Sequence, residues 1–200
     1  MKTAPQQTRQ HIIDSGYRLI SSKGFTHVGL AQILKFADVP KGSFYHYFKS
    51  KEQFGEEIIN SFFDSYLSSI DDLFATGKGS GLDRLMSYWL HWQSTQDGES
   101  SDQKCLVVKL SAEVADLSEA MRKALNTGST AVIARLTRAI EAGIADGSIP
   151  AMHAEHTAET LYQLWLGASL RNKLARDPQV IERALLMTKA LLAQPISAMK

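Results

Sequence analysis

The sequence predicts an all-α protein of about nine helices. Apolar residues recur at spacings of three and four along most of the 200 residues, which is the period of an amphipathic helix. No window alternates between apolar and polar residues with the β-branched enrichment that strands show. Apolar residues make up 44% and charged residues 22% of the chain, values that are typical of globular proteins and argue against a disordered chain.

Glycine and proline mark the ends of the first three helices. The first helix is predicted from Thr8 to the Lys23-Gly24 pair, because glycine is a usual C-terminal stop. A short second helix is predicted from Gly29 to Ala37, and Asp38-Val39-Pro40 breaks it. The third, Lys41 to Phe48, begins directly after the proline and is rich in aromatic residues. The sequence therefore predicts a helix-turn-helix arrangement in this part of the chain.

Six further helical segments follow, separated by loops that are polar or rich in glycine. Ser50 and Gln53 have the spacing of a capping box, which predicts where the fourth helix begins. The predicted segments are Ser50–Ile70, Leu82–Gln96, Cys105–Val114, Ser118–Gly143, His153–Arg176 and Pro178–Leu192.

Charge is divided unevenly along the chain. Residues 1–51 contain eight lysines and arginines against two acidic residues, a balance of +6, although the net charge of the whole chain is only +1. The remaining residues carry a balance of −5. A basic N-terminal part joined to an acidic remainder indicates that one end of the chain binds a polyanion.

Neither a membrane anchor nor a metal site is expected from the sequence. The longest uncharged apolar run, Leu161 to Leu170, is far shorter than a bilayer span, and the N-terminus has no apolar signal segment. We therefore expect a cytoplasmic protein without a membrane partner. Cys105 is the single cysteine, which excludes an intrachain disulfide and a multi-cysteine zinc site. We expect no cofactor and no metal.

The most specific stretch of the chain is residues 39–51, with the sequence VPKGSFYHYFKSK. If Phe44 and Phe48 face the core, the cationic, hydroxyl, phenol and imidazole groups of this helix point away from it. Such a helix suits a DNA major groove, since these groups contact phosphates and base edges and Gly42 allows close backbone approach. The alternative is an aromatic-rich helical hairpin that binds nothing.

This stretch and its flanks resemble the helix-turn-helix of the TetR family of transcriptional regulators. The resemblance covers residues 8–55 without a gap and includes Gly24-Phe25, the second helix, residues 39–48 and Ser50-Lys51-Glu52. It implies a homodimer that binds a palindromic double-stranded DNA operator, with the third helix of each subunit in the major groove. By the resemblance, Lys51 holds a phosphate, and the residues facing DNA are Lys41, Gly42, Ser43, Tyr45, His46 and Tyr47.

The chain departs from the family pattern at the start of the second helix. Many members have a threonine or serine pair that caps this helix and contacts phosphate, whereas this chain has Val28-Gly29. Thr26 and His27 are the candidates to replace that contact. Pro40 also stands where the family usually has serine, which is acceptable near a helix start.

The resemblance also divides the chain into two functional parts. Residues 1–50 are expected to form the DNA-binding domain, and residues 51–200 a helical regulatory and dimerisation domain. Leucines and small residues on the last two helices suit a four-helix dimer contact. The candidates to line an effector pocket are Trp89, Trp92, Met121, Tyr162 and Trp165, with ordinary core packing as the alternative.

Cys105 is the candidate sensor residue. It lies at a predicted helix start between Lys104 and Lys109, and both features favour a reactive thiolate, with an inert buried thiol as the alternative. Residues 104–118 and 164–168 further resemble family members that respond to electrophiles and oxidants. By that resemblance Cys105 is the reactive position, and Lys173 is the lysine expected to contact it.

These observations favour a repressor that leaves its operator when Cys105 reacts with an electrophile or oxidant. Within the same class, the alternative is release by a small organic ligand that binds non-covalently. A different class is a helical enzyme that uses Cys105 as a nucleophile with one of the histidines His91, His153 and His156, but no catalytic motif surrounds them. A purely structural helical module leaves the basic N-terminal part unexplained. The sequence therefore predicts a regulator and not an enzyme.

Overall fold

The computed structural model describes residues 4–96 and 106–193. Nine α-helices and no strand occur within these residues, which confirms the predicted all-α fold. The helices are α1 (Ala4–Lys23), α2 (Leu30–Ala37), α3 (Lys41–Tyr47), α4 (Lys51–Thr76), α5 (Gly81–Ser94), α6 (Leu106–Val114), α7 (Glu119–Ala145), α8 (Ala154–Ala175) and α9 (Gln179–Ala193).

The described residues form two compact units. The first unit contains residues 4–65 and 106–128, and the second contains residues 66–96 and 129–193. Helices α4 and α7 each begin in the first unit and end in the second. These units are defined by packing, whereas the predicted boundary at residue 50 separates two functions. That boundary stays a prediction.

Helix α1 begins at Ala4, earlier than the predicted start at Thr8. Pro5 is compatible with the first turn, because a proline there removes an N–H that has no helical partner. The Thr8 hydroxyl donates to the Ala4 carbonyl at 3.1 Å, so Thr8 lies inside the helix. The predicted end is confirmed. Gly24 has a φ of 88° and its N–H donates to the Ile20 carbonyl at 2.8 Å.

The next helix boundaries also follow local chemistry. Asp38 adopts the left-handed conformation that ends α2, and α3 begins directly after Pro40. At the start of α4, the Ser50 hydroxyl accepts the Gln53 N–H at 3.1 Å, as predicted. The Gln53 side chain accepts the N–H of Lys49 at 2.7 Å, one residue earlier than in a standard capping box.

Each unit has its own aromatic core. In the first, the rings of Phe44, Phe48 and Phe54 lie 4.8–5.2 Å apart and are fully buried. In the second, Trp89 stacks on Trp165 at 5.0 Å.

Within the described parts of the chain, no helix is long and apolar enough to cross a membrane.

Candidate nucleic-acid interface

Helix α3 has a buried face and an exposed face. Phe44 and Phe48 are buried on one side, which confirms the predicted orientation of this helix. Tyr45 remains 49% exposed although it is a large aromatic residue. Its ring lies edge-on to Phe44 at 5.5 Å, so the core fixes the direction in which the phenol points.

The other predicted DNA-facing residues lie on or beside this exposed face. The Lys41 ammonium lies 5.8 Å from the centre of the Tyr45 ring, and the His46 ring contacts the Tyr47 ring at 4.8 Å. Lys41, Gly42 and His46 are exposed, whereas Ser43 and Tyr47 are partly buried. A Cβ added at Gly42 would meet nothing within 4 Å, so the backbone is open to close approach at this point.

Lys51 is partly buried and already makes an intramolecular contact. Its ammonium donates to the Phe25 carbonyl at 2.7 Å and lies 4.4 Å from the centre of the Phe25 ring. Burial lowers the pKa of Lys51 from its ordinary value, and the carboxylates of Glu52 and Glu113 oppose this shift. An ammonium has three N–H donors, so a bond to Phe25 is compatible with a phosphate contact.

The α1–α2 turn, residues 24–26, depends on a residue that was not predicted to be functional. Glu113 of α6 accepts the backbone N–H of Phe25 at 2.9 Å and that of Thr26 at 2.6 Å. Partial burial alone would raise the pKa of the Glu113 carboxyl, but the hydrogen bonds from Thr26 and Phe25 hold it below its ordinary value. No local motif marks Glu113, because its partners lie almost ninety positions away.

The start of α2 has no capping hydroxyl, and the hydroxyl of the nearby Thr26 donates to the Glu113 carboxylate. The expectation that Thr26 or His27 replaces the missing phosphate contact stays a prediction. Gly29 is the N-terminal cap of α2, and its N–H donates to the Gln32 side chain at 3.3 Å. Backbone groups and Gln32 therefore organise this helix start in place of a capping hydroxyl.

The predicted sensor falls partly outside the structure. Cys105 and Lys104 lie outside the described residues, and α6 is described over Leu106–Val114. Lys109 lies in α6 and donates to the carbonyls of Ser21 and Ser22, the latter at 2.6 Å. Lys173 lies in the last turn of α8 and is exposed. The predicted contact between Cys105 and Lys173 stays a prediction.

The five pocket candidates are all buried. Met121 belongs to the first unit, where a Cβ added at Gly55 would lie 2.7 Å from its methyl group. The other four belong to the second unit and contact one another through their rings; they are Trp89, Trp92, Tyr162 and Trp165. Close packing of this kind is what the core alternative predicts, and their role in binding an effector stays a prediction.

The histidines of the enzyme hypothesis lie in the second unit. His153 caps α8 and stacks on His156 at 3.7 Å, while His91 lies in the last turn of α5. Across residues 4–96 and 106–193, no group of three or more histidine, cysteine, aspartate or glutamate residues is arranged to hold a metal ion.

Comparison with known proteins agrees with the geometry of α1 to α3. The family model described as bacterial regulatory proteins, tetR family, matches residues 12–58. A second model, described as tetracyclin repressor-like, C-terminal domain, matches residues 81–187. The chain belongs to the TetR family. The predicted function as a DNA-binding transcriptional regulator is therefore confirmed at the level of the TetR family.

TetR-family relatives match almost the whole chain. The HTH-type transcriptional repressor NemR of Escherichia coli (strain K12) is 41% identical over 97% of this chain and 98% of the relative. The HTH-type transcriptional repressor DhaR of Mycobacterium sp. (strain GP1) is 30% identical, with 88% of both chains covered. The crystal structure of the reduced form of E. coli NemR matches with a TM-score of 0.87 and 42% identity, covering 94% of this chain and 99% of that chain.

Proposed function

We propose that this chain is a homodimeric repressor that binds a palindromic operator and leaves it when Cys105 reacts with an electrophile or oxidant. One observation carries the DNA-binding part. Helix α3 buries Phe44 and Phe48 and leaves its cationic and polar side chains outside the core. In the proposal the residues that face DNA are Lys41, Gly42, Ser43, Tyr45, His46 and Tyr47, and Lys51 holds a phosphate.

The exposed apolar surface of α8 and α9 supports dimer formation. Leu170, Leu174, Leu186 and Met187 are between 47% and 70% exposed, an unusual state for large apolar side chains. A groove on the same two helices is lined by Leu164, Ala168, Val180, Ala184, Leu186 and Met187, among others. A second copy that packs two helices here would bury this surface in a four-helix contact.

The chemistry of Cys105 supports two modes of release. A thiolate adds to an electron-poor C=C bond, so that an S–C bond forms, the π bond breaks and the adjacent carbon takes a proton from water. With hypochlorous acid the thiolate becomes a sulfenic acid and chloride leaves, so sulfur loses two electrons and chlorine gains them. The relative NemR is named a repressor and has a crystal structure of its reduced form.

The experiment that tests this function measures binding to duplexes that the reduced protein enriches from a random pool. We expect the wild-type protein to lose binding on treatment with hypochlorite and to regain it with a thiol reductant. N-ethylmaleimide should cause a loss that reductant does not reverse. Cys105→Ser should bind the same duplex and resist both reagents, and release of this variant by either reagent would contradict the cysteine mechanism.

The proposed DNA contacts are tested with a double variant and a control variant. Tyr45→Ala with Lys51→Ala should abolish operator binding, because one substitution removes a groove contact and the other a phosphate contact. The control is Lys78→Ala in the loop between α4 and α5, which removes one exposed positive charge away from both α3 and the proposed dimer contact. Retained binding by the Tyr45 and Lys51 variant would support the purely structural alternative.

One observation favours release by a non-covalent ligand as the second candidate. The Trp89 indole N–H is buried and has no hydrogen-bond partner among the described residues. A ligand with an acceptor group would satisfy this donor at the centre of the aromatic cluster. The Cys105→Ser variant separates the candidates, because a non-covalent ligand would release it as readily as the wild type.

A further inference from the structure

Two side chains of α6, one turn apart, hold the backbone at the end of α1 and in the following turn. The Lys109 ammonium donates to the carbonyls of Ser21 and Ser22. These carbonyls belong to the last turn of α1, where the helix itself offers no donor. Glu113 accepts the N–H groups of Phe25 and Thr26. We call Lys109 and Glu113 the α6 clamp and residues 24–26 the α1–α2 turn.

The fit between the clamp and the turn is close. Gly24 has a φ of 88°, and a Cβ added there would lie 2.9 Å from the Glu113 carboxylate. The Glu113 side chain therefore occupies the space that any larger residue at position 24 would need. Both of its oxygens are used, since Oε2 accepts from Phe25 and Oε1 accepts from Thr26.

The same turn is held from a second helix. Lys51, the first residue of α4, donates to the Phe25 carbonyl at 2.7 Å. Phe25 thus has its N–H bound by a carboxylate of α6 and its carbonyl bound by an ammonium of α4. The Phe25 ring is buried under the Lys51 ammonium, which leaves this residue little freedom to move.

We propose that Glu113 and Lys109 are positioning residues for operator binding. Lys109 fixes the end of α1 and Glu113 fixes the α1–α2 turn. Together they set the direction in which α2 leaves α1, and so the position of α3, without touching DNA themselves. The Phe25 carbonyl in this turn also accepts a hydrogen bond from Lys51, the residue proposed to hold a phosphate. By holding the turn, Glu113 therefore also helps to position the proposed phosphate contact. This inference rests on the proposed DNA-binding function, because the experiment that tests it measures the affinity of the protein for its operator.

The test compares Glu113→Gln with Glu119→Gln. Glutamine keeps the shape of Glu113 but offers one acceptor oxygen, so an amide NH₂ would face a backbone N–H. Glu119 lies on α7 in the same unit and is exposed, and its carboxylate pairs with Arg122 of its own helix at 2.7 Å. Both substitutions remove one negative charge, so Glu119→Gln measures the effect of charge alone.

Two DNA probes separate positioning from folding. One is a duplex that the wild-type protein enriches from a random pool, and the other is an unrelated duplex of the same length. We expect Glu113→Gln to weaken operator binding about tenfold or more, and to leave binding to the unrelated duplex unchanged within about twofold. Glu119→Gln should weaken neither. Lys109→Met, which keeps the alkyl chain and removes the ammonium, should reproduce the operator-specific loss.

Three results would overturn the inference, each in a distinct way. Equal operator affinity of the Glu113 and Glu119 variants would show that the clamp does not position α3. Parallel losses on both duplexes, together with a lower Tm, would show that Glu113 only supports folding. If the wild type enriches no duplex, the proposed DNA-binding function fails first, and the positioning role fails with it.

Amide hydrogen exchange keeps the inference testable if a variant binds too weakly to measure. The N–H groups of Phe25 and Thr26 should exchange slowly in the wild type, because Glu113 accepts both. In Glu113→Gln their exchange, and that of the first turn of α2, should be faster, while α9 keeps its wild-type rates. Unchanged exchange at Phe25 and Thr26 would contradict the clamp.

Discussion

Both units have a buried aromatic core, but in the first unit helix α3 also exposes an aromatic side chain. On α3 of the first unit, Tyr45 is half exposed beside Lys41, while its neighbour Phe44 is fully buried. In the second unit, Trp89 and Trp165 are stacked and completely buried. The comparison teaches that exposure, and not residue type, separates an aromatic binding surface from an aromatic core.

Charged side chains hold backbone groups in both units. Glu113 and Lys51 do so at Phe25 in the first unit, and the Asp146 carboxylate accepts the Gly81 N–H at 2.6 Å in the second. In the second unit, neutral side chains also pair with each other. These pairs are Trp92 with Ser169 at 3.1 Å, Trp165 with Thr188 at 2.9 Å and Tyr66 with Tyr88 at 2.8 Å. Breaking one of these neutral pairs should therefore lower the stability of the second unit.

The largest expected effect tests the contrast between buried and exposed aromatic residues. Trp165→Ala should lower the free energy of unfolding by about 3–5 kcal/mol, because it leaves a large cavity in the core. Tyr45→Ala should lower it by less than about 0.5 kcal/mol, since surface substitutions rarely cost more, and should act on operator binding instead. Urea titrations of both variants measure this difference. A large stability loss in Tyr45→Ala would break the comparison.

A smaller effect is expected from adding a methyl group at a glycine in each unit. A Cβ at Gly81 of the second unit would lie 2.4 Å from the Gly143 Cα, so backbone must shift. Gly81→Ala should therefore cost about 1–3 kcal/mol of stability. Gly42→Ala is its control in the first unit and should be neutral or stabilising by up to about 1 kcal/mol, because alanine favours helix more than glycine does. Thermal unfolding followed by circular dichroism measures both, and equal losses would contradict the packing difference.

The buried polar pairs of the second unit should show the next effect. Thr188→Val removes the acceptor of the Trp165 indole N–H and keeps nearly the same shape. We expect a loss of about 1–2 kcal/mol in the free energy of unfolding, because a buried donor is left unpaired. Thr130→Val, at an exposed position of α7, should change stability by less than about 0.5 kcal/mol. A wild-type urea midpoint for Thr188→Val would show that this hydrogen bond contributes nothing.

The smallest expected effect is the pH dependence of the stability that Glu113 contributes in the first unit. The pKa of Glu113 is lowered from its ordinary value of 4.5 in the folded protein. Its contribution to stability is thus present above that value and is lost as the pH falls through the folded-state pKa. The difference in urea midpoint between wild type and Glu113→Gln should therefore shrink as the pH is lowered from 7 to 3. A difference that stays constant would mean that the carboxylate charge is not what holds the turn.

Helix order was well predicted because its signals are local. Gly24 and Pro40 mark helix boundaries by their own backbone preferences, and Phe44 and Phe48 face the core as their spacing requires. The predicted start of α1 at Thr8 was wrong, since the helix already includes Ala4 and Pro5 is compatible with its first turn. Residues that face DNA could be named from the family resemblance, but their contacts remain predictions.

The sequence by itself determined the helices, the buried and exposed faces of α3 and the membership of the TetR family. Each of these depends on residues within a few turns of one another or on a motif of fixed spacing. Only the tertiary structure decided which side chains hold the backbone from the end of α1 through the α1–α2 turn. Glu113 and Lys109 reach it across almost ninety residues of chain, and the hydrogen bonds that pair them with that backbone have no local pattern. Such contacts arise from packing, which the order of residues along one helix does not display.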